Sequence, residues 1–376
     1  MKVSLLQENL AKGVGVVSRA VATKTQLPVL ANILITTDQG KLKLTTTNLE
    51  TGINLWLGGK VEKEGKITIP ARILNEAISS LPAGTVELIA EADKLKISCG
   101  KYKAEINGIN AEEFPAVPSL KNKKTSGQGI KIDREIIETG INQVAVAAAT
   151  DEGRPVFTGV KMELGEGGLR LAATDGYRLS VKTISGLKGI KKKKEMIVPA
   201  RALMELIRVL GAAETEVKEV IFEATEEEKQ LILSFGEGEV VTRLLEGEFP
   251  DFDKIVPQTH TTTIELNTEE LTQAVRAAAV FAKDSANIVK FKITDGGLLI
   301  SANTPQVGGN EVEVAGKKTG ETGEIAFNSR YLIEMLNAIG AKELKLEISG
   351  PLNPGVFKPL GDNSFLHIIM PVRVQA

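Results

Sequence analysis

The sequence predicts an α+β chain of three tandem copies of one unit, each with two amphipathic helices and roughly eight short strands. Three observations carry this. The segments KITIPARILNEAISSL (66–81), EMIVPARALMELIRVL (195–210) and EIAFNSRYLIEMLNAI (324–339) answer one another, with Arg72, Arg201 and Arg330 at equal intervals. A second helical pattern precedes each of them, and the strand-like stretches between the two share an ending.

In chain order, each unit opens on a helix whose apolar residues recur at i, i+4 and i+7: Leu10, Val14 and Val17, then Ile137, Ile141 and Val144, then Leu271, Val275 and Ala278. The β-like stretches follow, ending in LKLTTTN (42–48), LRLAATD (169–175) and LLISANT (298–304). The repeated-arginine helix comes next, with apolar residues on one face. Pro70 and Pro199 suit its first turn and Asn328 is a good N-cap, so all three copies start at the same place. Alternating runs such as VELIAEADKLKISCG then close on EEFP (112–115), GEFP (247–250) and IIMP (368–371). Linkers rich in Lys, Ser, Gly and Thr at 117–129 and 256–263 divide the chain into domains 1–125, 126–256 and 257–376. Units of this size are duplicated domains, not solenoid repeats.

Composition bounds the function. Lys and Arg total 46 against 48 Asp and Glu, a formal charge of −2, so any phosphate-binding face is local. One cysteine and two histidines leave neither a disulfide nor a zinc cluster, and no metal or cofactor is expected. The opening MKVSLLQENL is too polar for a secretory signal and no apolar run approaches a membrane span, so a soluble, cytoplasmic protein with no membrane partner is expected. Fifteen aromatics are too few for an extended platform stacking single-stranded bases.

Catalytic motifs are missing. GKKTGETG (316–323) lacks the Gly-Lys-Ser/Thr of a nucleotide-binding loop, and GEGG (165–168) and GEGE (236–239) read as hairpin turns. Asp175, in ATDGYRLS (173–180), is a candidate general acid or base, but Asp-Gly after a strand is first a turn signal, with Gly176 free to take positive φ. His260 and His367 lack partners at metal spacing, and Cys99 ends a strand as a small buried residue would.

Arg72, Arg201 and Arg330 sit where the helix dipole disfavours cations, so each needs an offsetting partner. Glu76, Glu205 and Glu334 at i+4 offer a local ion pair; a nucleic-acid phosphate is the other reading, favoured for the set. Further cations lie on the polar sides of the first helices or just beyond: Lys12, Arg19, Lys24, Arg134, Arg276 and Lys283. KGIKKKKE (188–195) is the one dense basic run, a solvated loop or an accessory phosphate contact.

With these arginine helices, LPVLANILI (27–35), ATDGYRLS, GEFPDFDKIVP (247–257) and IIMPVRV (368–374), the whole chain resembles the bacterial sliding-clamp family, the β subunits of DNA polymerase III. The resemblance implies a non-catalytic processivity factor: a head-to-tail homodimer forming a six-domain ring, helices inside and sheets outside, around duplex DNA of any sequence. It implies DNA contacts at Lys24, Arg72, Arg134, Arg201, Arg276 and Arg330. It also implies a hydrophobic pocket for peptides of the polymerase III α subunit, the clamp loader and other partners. Carried over by position, that pocket uses Phe157, Thr174, Gly176, Tyr177, Arg178, Leu179, Pro250 and Ile255, with Asn328, Tyr331, Ile368, Met370, Pro371, Val372 and Arg373. Tyr177 stands where a histidine is common in the family, and Val372 where a methionine is. The implied dimer contacts are Ala104 and Ile106 against Val280 and Phe281. Two competing readings are an enzyme with Asp175 and Arg178 in a cleft, and a peptide-binding scaffold that no longer holds DNA.

Overall fold

Alternating runs with glycine turns become antiparallel hairpins here, and each helix seals one apolar face. The computed structural model describes residues 1–22, 27–121, 129–187, 190, 193–212, 217–225, 229–305 and 308–373. The first repeat runs β1 (Lys2–Leu6), α1 (Gln7–Val17), β2 (Asn32–Asp38), β3 (Lys41–Thr47), β4 (Thr51–Leu57), β5 (Lys60–Lys63), β6 (Lys66–Pro70), α2 (Ala71–Ser79), β7 (Thr85–Glu91), β8 (Lys94–Cys99) and β9 (Tyr102–Asn107). The second runs β10 (Ile130–Asp133), α3 (Arg134–Ala145), β11 (Gly159–Gly165), β12 (Gly168–Thr174), β13 (Arg178–Ile184), β14 (Lys194–Pro199), α4 (Ala200–Ala212), β15 (Glu219–Thr225), β16 (Gln230–Phe235) and β17 (Gly238–Arg243). The third runs β18 (Thr262–Asn267), α5 (Thr268–Ala282), β19 (Ile288–Thr294), β20 (Gly297–Thr304), β21 (Gly308–Gly320), β22 (Gly323–Asn328), α6 (Ser329–Ala338), β23 (Glu343–Ile348), β24 (Gly355–Pro359) and β25 (Phe365–Ile369).

The expected helices are all present. Leu10, Val14 and Val17, with their counterparts on α3 and α5, are at most 1% exposed. The arginine helices begin at Ala71, Ala200 and Ser329, and the Asn328 side chain caps the last by accepting from the Arg330 N–H at 2.9 Å. On α6, Leu332, Met335 and Leu336 enter the third repeat's core with Phe291, Phe327 and Phe357. Burial of each such side chain contributes about 2 kcal/mol.

The chain separates into two compact units: residues 1–135 with 201–244, and 136–200 with 245–376. The division cuts the second repeat because hydrogen-bonded sheets continue from repeat to repeat. Within the first unit β17 pairs antiparallel with β4, from Gly238↔Leu55 to Thr242↔Thr51. Within the second, β25 pairs with β13, from Arg178↔Ile369 to Lys182↔Phe365. Both seams join the last strand of one repeat to the equivalent strand of the repeat before it.

Among the strands with an open side in the described residues are β9 and β21. β9 is an outer strand of the sheet β5-β1-β7-β8-β9, pairing there only with β8. In β21, residues 308–315 pair with β20, while β18 pairs only with residues 316–320.

Candidate peptide groove and nucleic-acid face

Most of the residues expected in the peptide pocket lie at or beside the β13–β25 seam, in the second unit. Leu179 and Ile368 pair directly and are 1% exposed, in a small apolar cluster with Ala172, Val181, Phe252 and Val356. Phe249 and Leu366 pack against this floor. The Phe252–Lys254 turn is fastened by Arg170, whose Nη1 donates to Asp253 at 2.9 Å and whose guanidinium lies 4.5 Å from the Phe252 ring. The Arg170 hydrogen bond holds the Asp253 carboxyl below its usual range. Pro250 is half-buried, and Ile255, just after the turn, is 40% exposed.

The turn from Thr174 to Arg178 forms the rim. Asp175 Oδ1 accepts from the N–H groups of Tyr177 and Arg178 at 2.9 and 3.0 Å, and Thr174 Oγ1 donates to the Arg178 carbonyl at 2.6 Å. Gly176 has φ 93°, a left-handed conformation that glycine adopts without strain. Asp175 is therefore a turn residue, as its Asp-Gly signal indicated. This geometry leaves the Tyr177 side chain 61% exposed while its carbonyl accepts from the Met370 N–H at 2.8 Å. Met370 is 40% exposed; Pro371 and Val372 are half-buried, Val372 donating to the Ala326 carbonyl at 2.8 Å; Arg373 is exposed.

Arg178, one of the expected pocket residues, is already paired within the seam. It is 7% exposed, its Nε bonds Asp175 at 3.0 Å, its Nη1 bonds Glu334 at 2.5 Å, and it lies 4.4 Å from the Tyr331 ring centre. Burial, and then the Asp175 charge, raise the Tyr331 hydroxyl above its ordinary value. The positions carried over for the pocket omit Arg154, Phe252 and Val356, and they omit Glu334, whose spacing pointed to Arg330 instead. Arg154 stacks 4.6 Å from Phe157 and donates to the Asp175 carbonyl at 3.0 Å. An exposed arginine beside a proline carries no sequence signal for this, and the Arg178–Glu334 contact spans 156 residues.

The β4–β17 seam has the same turn and a different floor. Thr47 Oγ1 donates to the Thr51 carbonyl, Asn48 accepts from two N–H groups, Leu49 takes φ 75°, and Arg243 donates to the Glu50 carbonyl at 3.0 Å. Val181 and Leu366 at the second seam correspond to Asn54 and the fully buried Glu239. These draw in the following chain segment: Asn54 donates to the Pro118 carbonyl at 2.9 Å, and Leu120 N–H donates to Glu239 at 3.0 Å. Leu120 is 7% exposed where its counterpart Ile255 is 40% exposed. Buried polar groups demand partners, so this seam holds its own linker by hydrogen bonds, whereas the second seam packs its linker through Phe249, Phe252 and Val256 and leaves Ile255 exposed.

Of the expected phosphate contacts, Lys24 lies outside the described residues, as does much of the 188–195 run. Arg72 is exposed and pairs with Glu76 at 2.9 Å, as its spacing indicated. The other two helices differ: Glu205 pairs with Arg208 at 2.7 Å and Glu334 with Arg178. Arg201 and Arg330 are exposed at the second position of α4 and α6, and among the described residues no carboxylate pairs with Arg330. Arg134 is half-buried, its Nη2 donating to the Leu210 carbonyl at 2.8 Å, and Arg276 bonds Asn337 at 2.8 Å.

Of the expected dimer contacts, Ala104 is exposed on β9 and Ile106 is 7% exposed. Val280 is 60% exposed, and Phe281 is half-buried against the third repeat's core. His367 is wholly buried, its Nδ1 2.6 Å from Ser180 Oγ; His260 is exposed; Cys99 is buried.

Family models of the DNA polymerase III beta subunit match the N-terminal domain over residues 1–118, the central domain over 131–251 and the C-terminal domain over 253–373. The beta sliding clamp of Synechococcus elongatus is 29% identical, with all of both chains covered. The Bacillus subtilis DNA polymerase sliding clamp superposes over all of both chains with a TM-score of 0.92 at 26% identity. A Pseudomonas aeruginosa sliding clamp bound to griselimycin does so with a TM-score of 0.91 at 25% identity. With three family domains in order along its length and two seams built alike, the chain belongs to the DNA polymerase III beta subunit family, the bacterial sliding clamps.

Proposed function

We propose that two copies of this sliding clamp close head to tail into a ring of six domains, with domain limits 1–125, 126–256 and 257–376, around duplex DNA. The observation that carries this reading is the repeated seam. The last strand of the second repeat adds to the first, and that of the third adds to the second. The last strand of the first repeat, β9, and the matching strand of the third, β21, are left with open sides among the described residues. Joining β9 of one copy to β21 of the next repeats the same step, and a heterologous contact of this kind closes when the rotation completes a circle.

Transposing the β17–β4 register onto this contact sets Lys103 opposite Glu311, and Lys101 opposite Glu313, of the second copy. Tyr102 then faces Val312 and Ala104 faces Asn310. The charges are complementary on one face, and Tyr102 meets Val312 on the other. Ile106, Val280 and Phe281 extend the interface.

A clamp does no chemistry on DNA; closure retains it. Arg72, Arg134, Arg201, Arg276 and Arg330, with Lys24, supply scattered phosphate contacts on a chain of net charge −2. Contacts of this kind are weak and blind to base sequence, which suits sliding. The groove beside Leu179, Ile368 and Met370 takes the apolar side chains of short peptides from the polymerase III α subunit, the clamp loader and other partners, and so tethers the polymerase. Asn328 and Arg373 are the residues that would bond the peptide's polar groups. No helix among the described residues is long and apolar enough to cross a membrane, and the cytoplasm, where replication runs, is the compartment of this reading.

Loading onto primed circular DNA, followed by cutting of the circle, tests enclosure. Retention on the circle and rapid loss after linearisation are expected. Equal retention on both, or a monomer at micromolar concentration, would sink the ring.

A further inference from the structure

The three glutamates that follow the repeated arginines are equivalent in sequence, yet they do different work. Glu76 pairs with Arg72 and Glu205 with Arg208, each inside its own helix. Glu334 alone of the three leaves its helix, reaching Arg178 across the second seam. Arg178 needs it. Asp175 already accepts from Tyr177 N–H, Arg178 N–H and Arg178 Nε, so the guanidinium's Nη1 side depends on Glu334. A cation 7% exposed and held on one side only would leave its site or drag the turn with it.

We propose that Glu334 is the positioning residue of the peptide groove: it holds Arg178 against the Tyr331 ring and thereby fixes the Thr174–Arg178 turn on which both walls depend. The turn presents the Tyr177 ring on one side, and through the Tyr177 carbonyl it anchors Met370 on the other. Tyr331 and Glu334, one turn apart on α6, grip the same guanidinium by its face and by its edge. Diverting Glu334 to Arg178 also leaves Arg330 without the helical ion pair that Arg72 has.

The assignment rests on the groove being the peptide site. The test measures binding of a fluorescein-labelled Gln-x-x-Leu-x-Phe peptide to the dimer by anisotropy, with melting temperature and the salt dependence of DNA binding recorded for each variant. Glu334→Gln should weaken the peptide about tenfold at unchanged melting temperature and unchanged salt slope, through loss of a charged hydrogen bond. Glu334→Asp, which keeps the charge, should recover part of that loss. Unchanged peptide affinity in Glu334→Gln overturns the assignment, and tighter DNA binding alongside it would make Glu334 the partner of Arg330. An equal loss in both variants with a lowered melting temperature also overturns it, in favour of general packing. No peptide binding by the unaltered protein defeats the groove reading and this assignment together.

Discussion

His367 sits in β25 between Leu366 and Ile368, and its neutral form is built into the seam. Burial, and then Arg178, push its ring down from 6.5 to about 3, and its Nε2 has no partner among the described residues. The unfolded chain therefore takes up a proton at a pH where the folded chain does not. Sign follows from that difference: stability from this group is full above pH 6.5 and drains away as pH falls towards about 3, by up to about 1.4 kcal/mol per pH unit. Urea unfolding at pH 7.5, 6 and 5 should show this acid limb, and His367→Gln should flatten it. An equally steep limb in the variant would place the proton uptake elsewhere. Ser180 meets His367 directly across the seam, so protonation also strikes the strand pair that carries Leu179 and Ile368.

Elements show where sequence reasoning succeeded and where it had to stop. Helix periodicity and the fixed spacing of Arg72, Arg201 and Arg330 are local signals, and all six helices formed where these placed them. Pairing of β17 with β4, or β25 with β13, has no local signal, because alternation fixes which face a strand buries and not which strand lies beside it. Partner choice was equally hidden for Glu334, whose helical neighbour Arg330 lost to a distant arginine that needed it. That difference has a measurable consequence for the proposed DNA contacts. Arg72 is already neutralised by Glu76 while Arg330 is not, so Arg330→Gln should lower the salt slope of DNA binding by about 1 and Arg72→Gln by less. Equal effects would show that Glu76 releases Arg72 on DNA. At the edge strands, Lys103→Glu should weaken the dimer and Glu311→Lys in the same chain should restore it, each pair being worth about 0.2–1 kcal/mol. Sedimentation across micromolar and nanomolar concentrations reads both; a double variant no tighter than the single would refute the transposed register. Val280→Asp is a cleaner disruption than Phe281→Asp, because Phe281 also packs on its own repeat's core.

At the scale of the whole ring, the two interfaces on which function depends are built from different strands, and they should fail independently. In the proposed ring the dimer uses the open sides of β9 and β21, whereas the proposed groove uses β13, β25 and the chain beyond Ile369. That last segment, residues 370–373, belongs to no strand or helix and needs other contacts to hold it. Here the Met370 N–H bonds the Tyr177 carbonyl and the Val372 N–H bonds the Ala326 carbonyl, so the segment is one wall of the groove and not a loose tail. Each apolar anchor of a bound peptide contributes about 2 kcal/mol, and two anchors with a few hydrogen bonds give micromolar, exchangeable binding, as a tether shared among partners requires. Deleting residues 370–376 removes that wall while leaving β25 whole through Ile369. The truncated protein should sediment as a dimer and load onto circles, yet neither bind the Gln-x-x-Leu-x-Phe peptide nor stimulate the polymerase. Full-affinity peptide binding by the truncated ring would move the site off this seam, and loss of the dimer would mean that the groove and the ring share a structural element.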